Sequence, residues 1–257
     1  MFALTLAIVT AAFLIAPLFV VVPMSFSTSA SFAFPPPGYW LGFYREFFHS
    51  DAWLQPFANS LIIASATSVI TLMLTIPAAM GFIRFRLRGA EFVNLLLMLP
   101  MITPHMMAAL AYYGFLAKLG ILGTHIGVII AHVALCIPIC FLCVTAALKN
   151  FDISLERAAK SLGANPVTAF TLVTFPILRH GFIVGAVFTF LYSFDEPVVS
   201  LFISGRDAAT LPKKIFESIR LQADPVIAVV STLLFSTAAL AILIPALVRL
   251  IRQGSVH

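Results

Sequence analysis

Residues 120–148 read GILGTHIGVIIAHVALCIPICFLCVTAAL. No Asp, Glu, Lys or Arg interrupts these 29 residues. A run of about 20 apolar residues carries a helix across the hydrocarbon core of a bilayer. Further runs of this kind lie at about 3–23, 56–83, 91–116, 181–203 and 226–248. Only helices and closed barrels satisfy the backbone in lipid, and these runs are too long for barrel strands and do not alternate. The expected fold is therefore all-α: a polytopic membrane protein with six transmembrane helices in a single membrane domain over 1–257. Pro77, Pro100, Pro104, Pro138 and Pro197 fall inside the runs, where membrane helices tolerate them. The first run lacks a basic start and a clear cleavage site and is too long for a signal-peptide core.

Composition agrees. The chain is 61% hydrophobic and 10% charged, against roughly 25% charged in soluble domains. The net charge of +5 does not point to nucleic acid, because the basic residues lie between apolar runs rather than in one patch. With the N-terminus inside, Arg84, Arg86, Arg88, Lys149, Arg157, Lys160, Arg179, Arg249 and Arg252 fall on the inner side. Arg45, Lys118, Arg206, Lys213, Lys214 and Arg220 fall outside. That majority sets the expected orientation, with both termini in the cytoplasm. Cys136, Cys140 and Cys143 sit near one face of one helix, as packing residues or, alternatively, as metal ligands; no metal site is assigned.

Between the fourth and fifth runs lies the segment 149–180. It contains Leu155-Glu-Arg-Ala-Ala-Lys-Ser-Leu-Gly163, then Ala164-Asn-Pro-Val-Thr-Ala-Phe170, then Phe175-Pro176. A helix starting at Asp152 or Ser154 is expected to stop at Gly163, a residue suited to the left-handed C-terminal position. Asn165 can cap a second helix with Pro166 at its first position. The segment thus reads as two short helices joined at Gly163, forming a shaped surface on the inner side.

Arg157-Ala-Ala-Lys-Ser-Leu-Gly163, Phe170 and Phe175-Pro176 resemble the Glu-Ala-Ala ("EAA") loop of the membrane-spanning permeases of bacterial type I ABC importers. Ser193-Phe-Asp-Glu196, Leu201-Phe-Ile-Ser-Gly205, Thr210-Leu-Pro212, Asp224-Pro225 and Pro77-Ala-Ala-Met-Gly81 are similar to the spermidine/putrescine-type branch. Arg157 stands at the motif's Glu position, with Glu156 one residue earlier, and Phe175 replaces the Leu before the proline. The resemblance implies that Glu156, Arg157, Ala158, Ala159, Gly163, Asn165, Pro166, Phe170 and Pro176 couple the chain to an ATPase, with a coupling helix near 165–173. It implies as partners a second homologous permease, two ATP-binding subunits holding ATP and magnesium, and a periplasmic substrate-binding protein. The location is then the bacterial inner membrane, surrounded by lipid, with 24–55 and 204–225 periplasmic and 149–180 cytoplasmic. The implied cargo is a polyamine or a related small amine-containing solute.

Ser193, Asp195 and Glu196 are candidates for the translocation path. An acid at a helix centre costs on the order of 2.5–3.5 kcal/mol, so such residues face a bundle interior or a watery path. Adjacent residues point about 100° apart, so one acid alone faces the path squarely. A cation site and a structural pairing both remain open for the pair. His105 and His132 read as packing or hydrogen-bonding residues, and 211–220 as an amphipathic helix that either meets a delivery protein or anchors at the interface. No phosphate-binding loop, HExxH or GxSxG motif is present, so the chain is read as a transporter subunit with no catalytic or cofactor-binding residues of its own. A self-contained ion-coupled carrier or channel using Asp195 and Glu196 is the alternative.

Overall fold

The computed structural model describes residues 2–84, 89–221 and 224–254; Arg86 and Arg88 of the basic loop lie outside them. Twelve α-helices follow in order: α1 (Phe2–Ser25), α2 (Gly42–His49), α3 (Asp51–Arg84), α4 (Ala90–Ile102), α5 (His105–Lys118), α6 (His125–Lys149), α7 (Ile153–Ser161), α8 (Pro166–Ala169), α9 (Phe175–Phe194), α10 (Val198–Ile203), α11 (Leu211–Leu221) and α12 (Val226–Gly254). A π-helical turn, Phe170–Thr174, joins α8 to α9. There is no strand among the described residues.

Among the described residues five helices are long and apolar enough to cross a membrane, and a sixth span exists if α4 and α5 count as one. That pair bends by 103°. The expected third span is thus not a straight helix. Pro104 has no N–H to donate and disfavours helix at the residue before it, and the extended Thr103 ends α4. Pro77, Pro100 and Pro138 by contrast stay inside their helices.

The chain forms two compact units. One holds residues 1–54 and 215–257; here α1 and α2 each pack on α12. Phe43 and Phe47, one turn apart on α2, are buried, and the hydroxyls of Ser25 and Tyr44 hydrogen-bond at 2.8 Å.

The other unit holds residues 55–214 and is organised by the pairing of α6 with α9. Gly181 lets the two backbones approach, because a Cβ there would lie 2.3 Å from the Ala147 Cβ. Small residues at such crossings are the usual means of close packing in membranes. Cys140, Val144, Leu178 and Phe182 fill the interface in one buried cluster. A second cluster joins Ile63, Ala109, Leu135, Val199 and Ile203. Cys136 and Cys140 are buried free thiols, and Cys140 shares a hydrogen bond with Thr75 at 3.0 Å.

A two-helix loop and a broken span

The segment 149–180 folds locally as its sequence dictates. Asp152 caps α7 by accepting from the Ser154 N–H at 2.9 Å, and that bond holds its exposed carboxyl below the usual range. The helix ends where Gly163 turns left-handed at φ +93°, with the Ala164 N–H donating to the Ala159 carbonyl at 3.1 Å. Side chains rarely adopt such a φ. Asn165 Oδ1 then accepts from the Thr168 N–H at 2.8 Å, and Pro166 opens α8.

The second helix is not a separate short piece, as the sequence suggested. It runs on through the π-turn into α9, so 166–194 forms one continuous apolar stretch. Pro176 lies in the first turn of α9. There the backbone N–H that proline lacks falls in the turn whose pairing has shifted to the wider π pattern. Ala169 is buried and Phe170 packs on the Cys140–Phe182 cluster. The opposite face is open: Leu162, Val167 and Leu172 are 89%, 71% and 72% exposed. Arg157 and Ala158 are exposed as well.

Glu156 is the exception, at 3% exposure. Arg84, the last residue of α3, grips it in a fork, with Nη1 donating to Oε1 at 2.9 Å and Nη2 to Oε2. Lys160 Nζ, one turn along α7, reaches Oε1 at 3.0 Å. The Thr174 hydroxyl donates to Oε2 at 3.0 Å. Burial pushes this carboxyl up, but the bonds from Lys160 and Thr174 and the charges of Arg84 and Lys160 outweigh it, so its pKa lies below the ordinary value. A cavity of about 550 Å³ opens beside the cluster, lined by Pro77, Gly81, Ile153, Arg157 and Pro166 among others.

The acidic pair lies elsewhere than a continuous fifth span would place it. α9 ends at Phe194, residues 195–197 are non-helical, and α10 begins at Val198. Pro197 supplies the cause, since it lacks a donor and clashes with a continuing helix. The two acids then diverge: Asp195 is exposed and Glu196 is 6% exposed. Glu196 Oε1 accepts from the Val199 N–H at 2.9 Å, capping the start of α10. Buried His132 spans the break, with Nδ1 2.8 Å from Ser193 Oγ and Nε2 3.2 Å from Ser200 Oγ. His105 Nε2 lies 2.9 Å from the Tyr192 hydroxyl. The hairpin beyond α10 is held by Asn59, which donates to the carbonyls of Asp207 and Ala209 at 2.8 and 3.0 Å.

Of the candidate residues, the structure brings Glu156 together with Thr174 and Arg84, and Ser193 with His132. It does not bring the residues of 149–180 to Asp195 through any hydrogen bond or ion pair among the described residues. Sequence reasoning missed Arg84, Lys160 and Thr174 as partners of Glu156, having read the two cations only for orientation. It placed His132 among hydrogen-bonding residues without its serine partners.

The sequence model of binding-protein-dependent transport system inner membrane components matches residues 71–255. The chain is 28% identical over 223 residues to the spermidine/putrescine transport system permease protein PotC of Escherichia coli (strain K12), covering 87% of this chain and 84% of that one. It is 29% identical over 243 residues to the putrescine transport system permease protein PotI of the same organism, covering 89% and 83%. Among solved structures, a chain of a bacterial ABC transporter involved in the import of the acidic polysaccharide alginate superposes with a TM-score of 0.73 at 15% identity, covering 96% of this chain and 95% of that one. The last likeness concerns the fold.

Proposed function

The chain belongs to the family of binding-protein-dependent transport system inner membrane components, and we propose that within such a system it forms half of the translocation path for a polyamine or a related small amine-containing solute. Its partners in this reading are a second, similar permease, two ATP-binding subunits that hold ATP and magnesium, and a periplasmic binding protein that delivers the solute. The termini and the 149–180 loop then face the cytoplasm.

The observation that carries the reading is the continuity of 166–194. Exposed apolar Val167 and Leu172 sit on the first turns of the spanning stretch 166–194, with exposed Leu162 at the end of α7 just before it. Exposed apolar patches mark protein or membrane contacts, and in this reading the patch meets the ATP-binding subunit. A push on it moves α9 as a rod, because the chain stays helical between the patch and the break at 195–197. ATP-driven closure of the ATPase pair thereby biases the permease between outward- and inward-open states, which differ in their contacts rather than in covalent chemistry. For the cargo, the support is exposed Asp195 at the far end of the same rod, an acid suited to an ammonium group, together with the relatives that transport putrescine and spermidine.

The test is uptake of radiolabelled putrescine and spermidine into proteoliposomes holding the chain with its partner permease and ATPase. ATP-dependent uptake that Gly163→Pro abolishes is expected. Uptake by the chain alone, driven by an ion gradient without any ATPase, would instead establish a self-contained carrier. Competition by neutral sugars rather than amines would overturn the cargo assignment alone.

A further inference from the structure

Glu156 gathers donors from three places in the chain. Arg84 comes from the end of α3, 72 residues earlier. Lys160 comes from its own helix. Thr174, 18 residues later, belongs to the π-turn that leads into α9. Both carboxylate oxygens are engaged twice, and the carboxylate itself is buried. Together with the coupling reading of 149–180, on which this step rests, we infer that Glu156 is a positioning residue that locks α3, α7 and the base of α9 into one rigid body, so that a displacement of the loop moves two spans at once.

Why a carboxylate serves here follows from its geometry. An apolar contact is non-directional and lets helices slide or rotate past one another. A guanidinium–carboxylate fork fixes both distance and angle. Buried ion pairs gain little stability over a well-packed apolar pair, so stability alone gives no reason to place a charged cluster here, whereas angular rigidity does. Beyond Arg84 the described chain resumes at Gly89, whose φ of +83° starts α4. The lock therefore sits at the C-terminal end of α3 and holds the loop against that end. Arg157, one residue on and exposed, is left free of ion pairs among the described residues, so anchoring and partner contact fall to different side chains.

The test uses the whole reconstituted complex. Spin labels replace Leu74 on the exposed face of α3 and Leu155 on α7, with Cys143→Ala removing the more accessible native thiol. In the wild-type background the distance between them is expected to stay the same with and without ATP. A change of more than about 2 Å, the scale of helix displacements in switching transitions, overturns the inference, and this arm stands even where a variant fails to assemble. In E156Q a second distance is expected to appear with ATP. The ATP hydrolysed per solute imported is expected to rise roughly tenfold, within the range over which coupled sites communicate. Misfolding alone would not move that ratio, since subunits that fail to assemble drop out of both numerator and denominator. The exchanged pair R84E/E156R is expected to recover part of the coupling lost in E156Q, since it remakes the fork while Lys160 and Thr174 lose their acceptor. An E156Q complex with one distance and an unchanged ratio overturns the lock. A wild-type complex that imports nothing with ATP overturns the importer reading instead.

Discussion

Glu156 and Glu196 are two carboxylates of the same compact unit, buried to nearly the same degree and held in different ways. Glu156 is bound by cations and a hydroxyl drawn from 72 residues before it to 18 after it. Glu196 accepts from a backbone N–H three residues away. The first ties distant elements together, and the second shapes the start of one short helix. Asp195, beside the local cap, is the acid left exposed. Burial of an acid in this chain therefore does not by itself mark a solute path, and the proposed contact with the solute is the exposed Asp195.

The largest effect should come from opening the long-range site. Arg84→Ala leaves Glu156 buried beside a single half-exposed lysine, and removing one partner of a buried pair costs roughly 3–5 kcal/mol. Thermal unfolding of the purified complex measures this. Arg84→Met combined with Glu156→Leu should be close to wild type in the same assay, since apolar replacement of both partners is often neutral. A double variant as unstable as the single would mean that the charges themselves hold the fold.

Gly163→Ala should be the next most costly, at about 1–2 kcal/mol, because of its left-handed backbone. Glu196→Ala removes only a cap and should cost about 1 kcal/mol. A loss as large as that of Arg84→Ala would erase the distinction between the two acids. Asp195→Asn should leave the melting curve unchanged while uptake of a dicationic solute falls; equal loss of amine and neutral solutes would remove Asp195 from recognition.

A pH series sharpens the same comparison. The folded Glu156 carboxyl lies below its ordinary value, so the unfolded chain protonates first as pH falls. Its contribution is present above about pH 4.3, the ordinary glutamate pKa, and is lost as pH drops through the lower folded value. The stability gap between wild type and Glu156→Gln should therefore narrow below that pH. A gap that stays constant down to pH 3 or that narrows on going alkaline contradicts the assignment.

Much of this was legible in the sequence, and particular residues show why. The charge-free run 120–148 needs no tertiary information to be read as a spanning helix, and it is one. Asp152, Gly163, Asn165 and Pro166 act through their immediate neighbours, so the loop's caps and turn fell where the sequence put them. The break at 195–197 was hidden because Val198–Ile203 is as apolar as the helix before it; hydropathy cannot tell a continuous span from an interrupted one, and Pro197 was read as tolerated, as Pro138 is. Pro104 was seen, but a proline marks where a helix stops and not the 103° at which the next one leaves. The Arg84–Glu156 fork joins residues that no local pattern relates. The one available signal was a lone acid among the small residues of α7 with a cation closing the second span.

The most direct test of the account is where the ATPase touches this chain. A photo-crosslinking phenylalanine analogue at exposed Val167, in the proposed coupling surface, and in a separate variant at Ile219 on α11, is activated in the assembled transporter. A covalent adduct with the ATP-binding subunit is expected from position 167 and none from position 219. An ATPase adduct from 219, with none from 167, would contradict it.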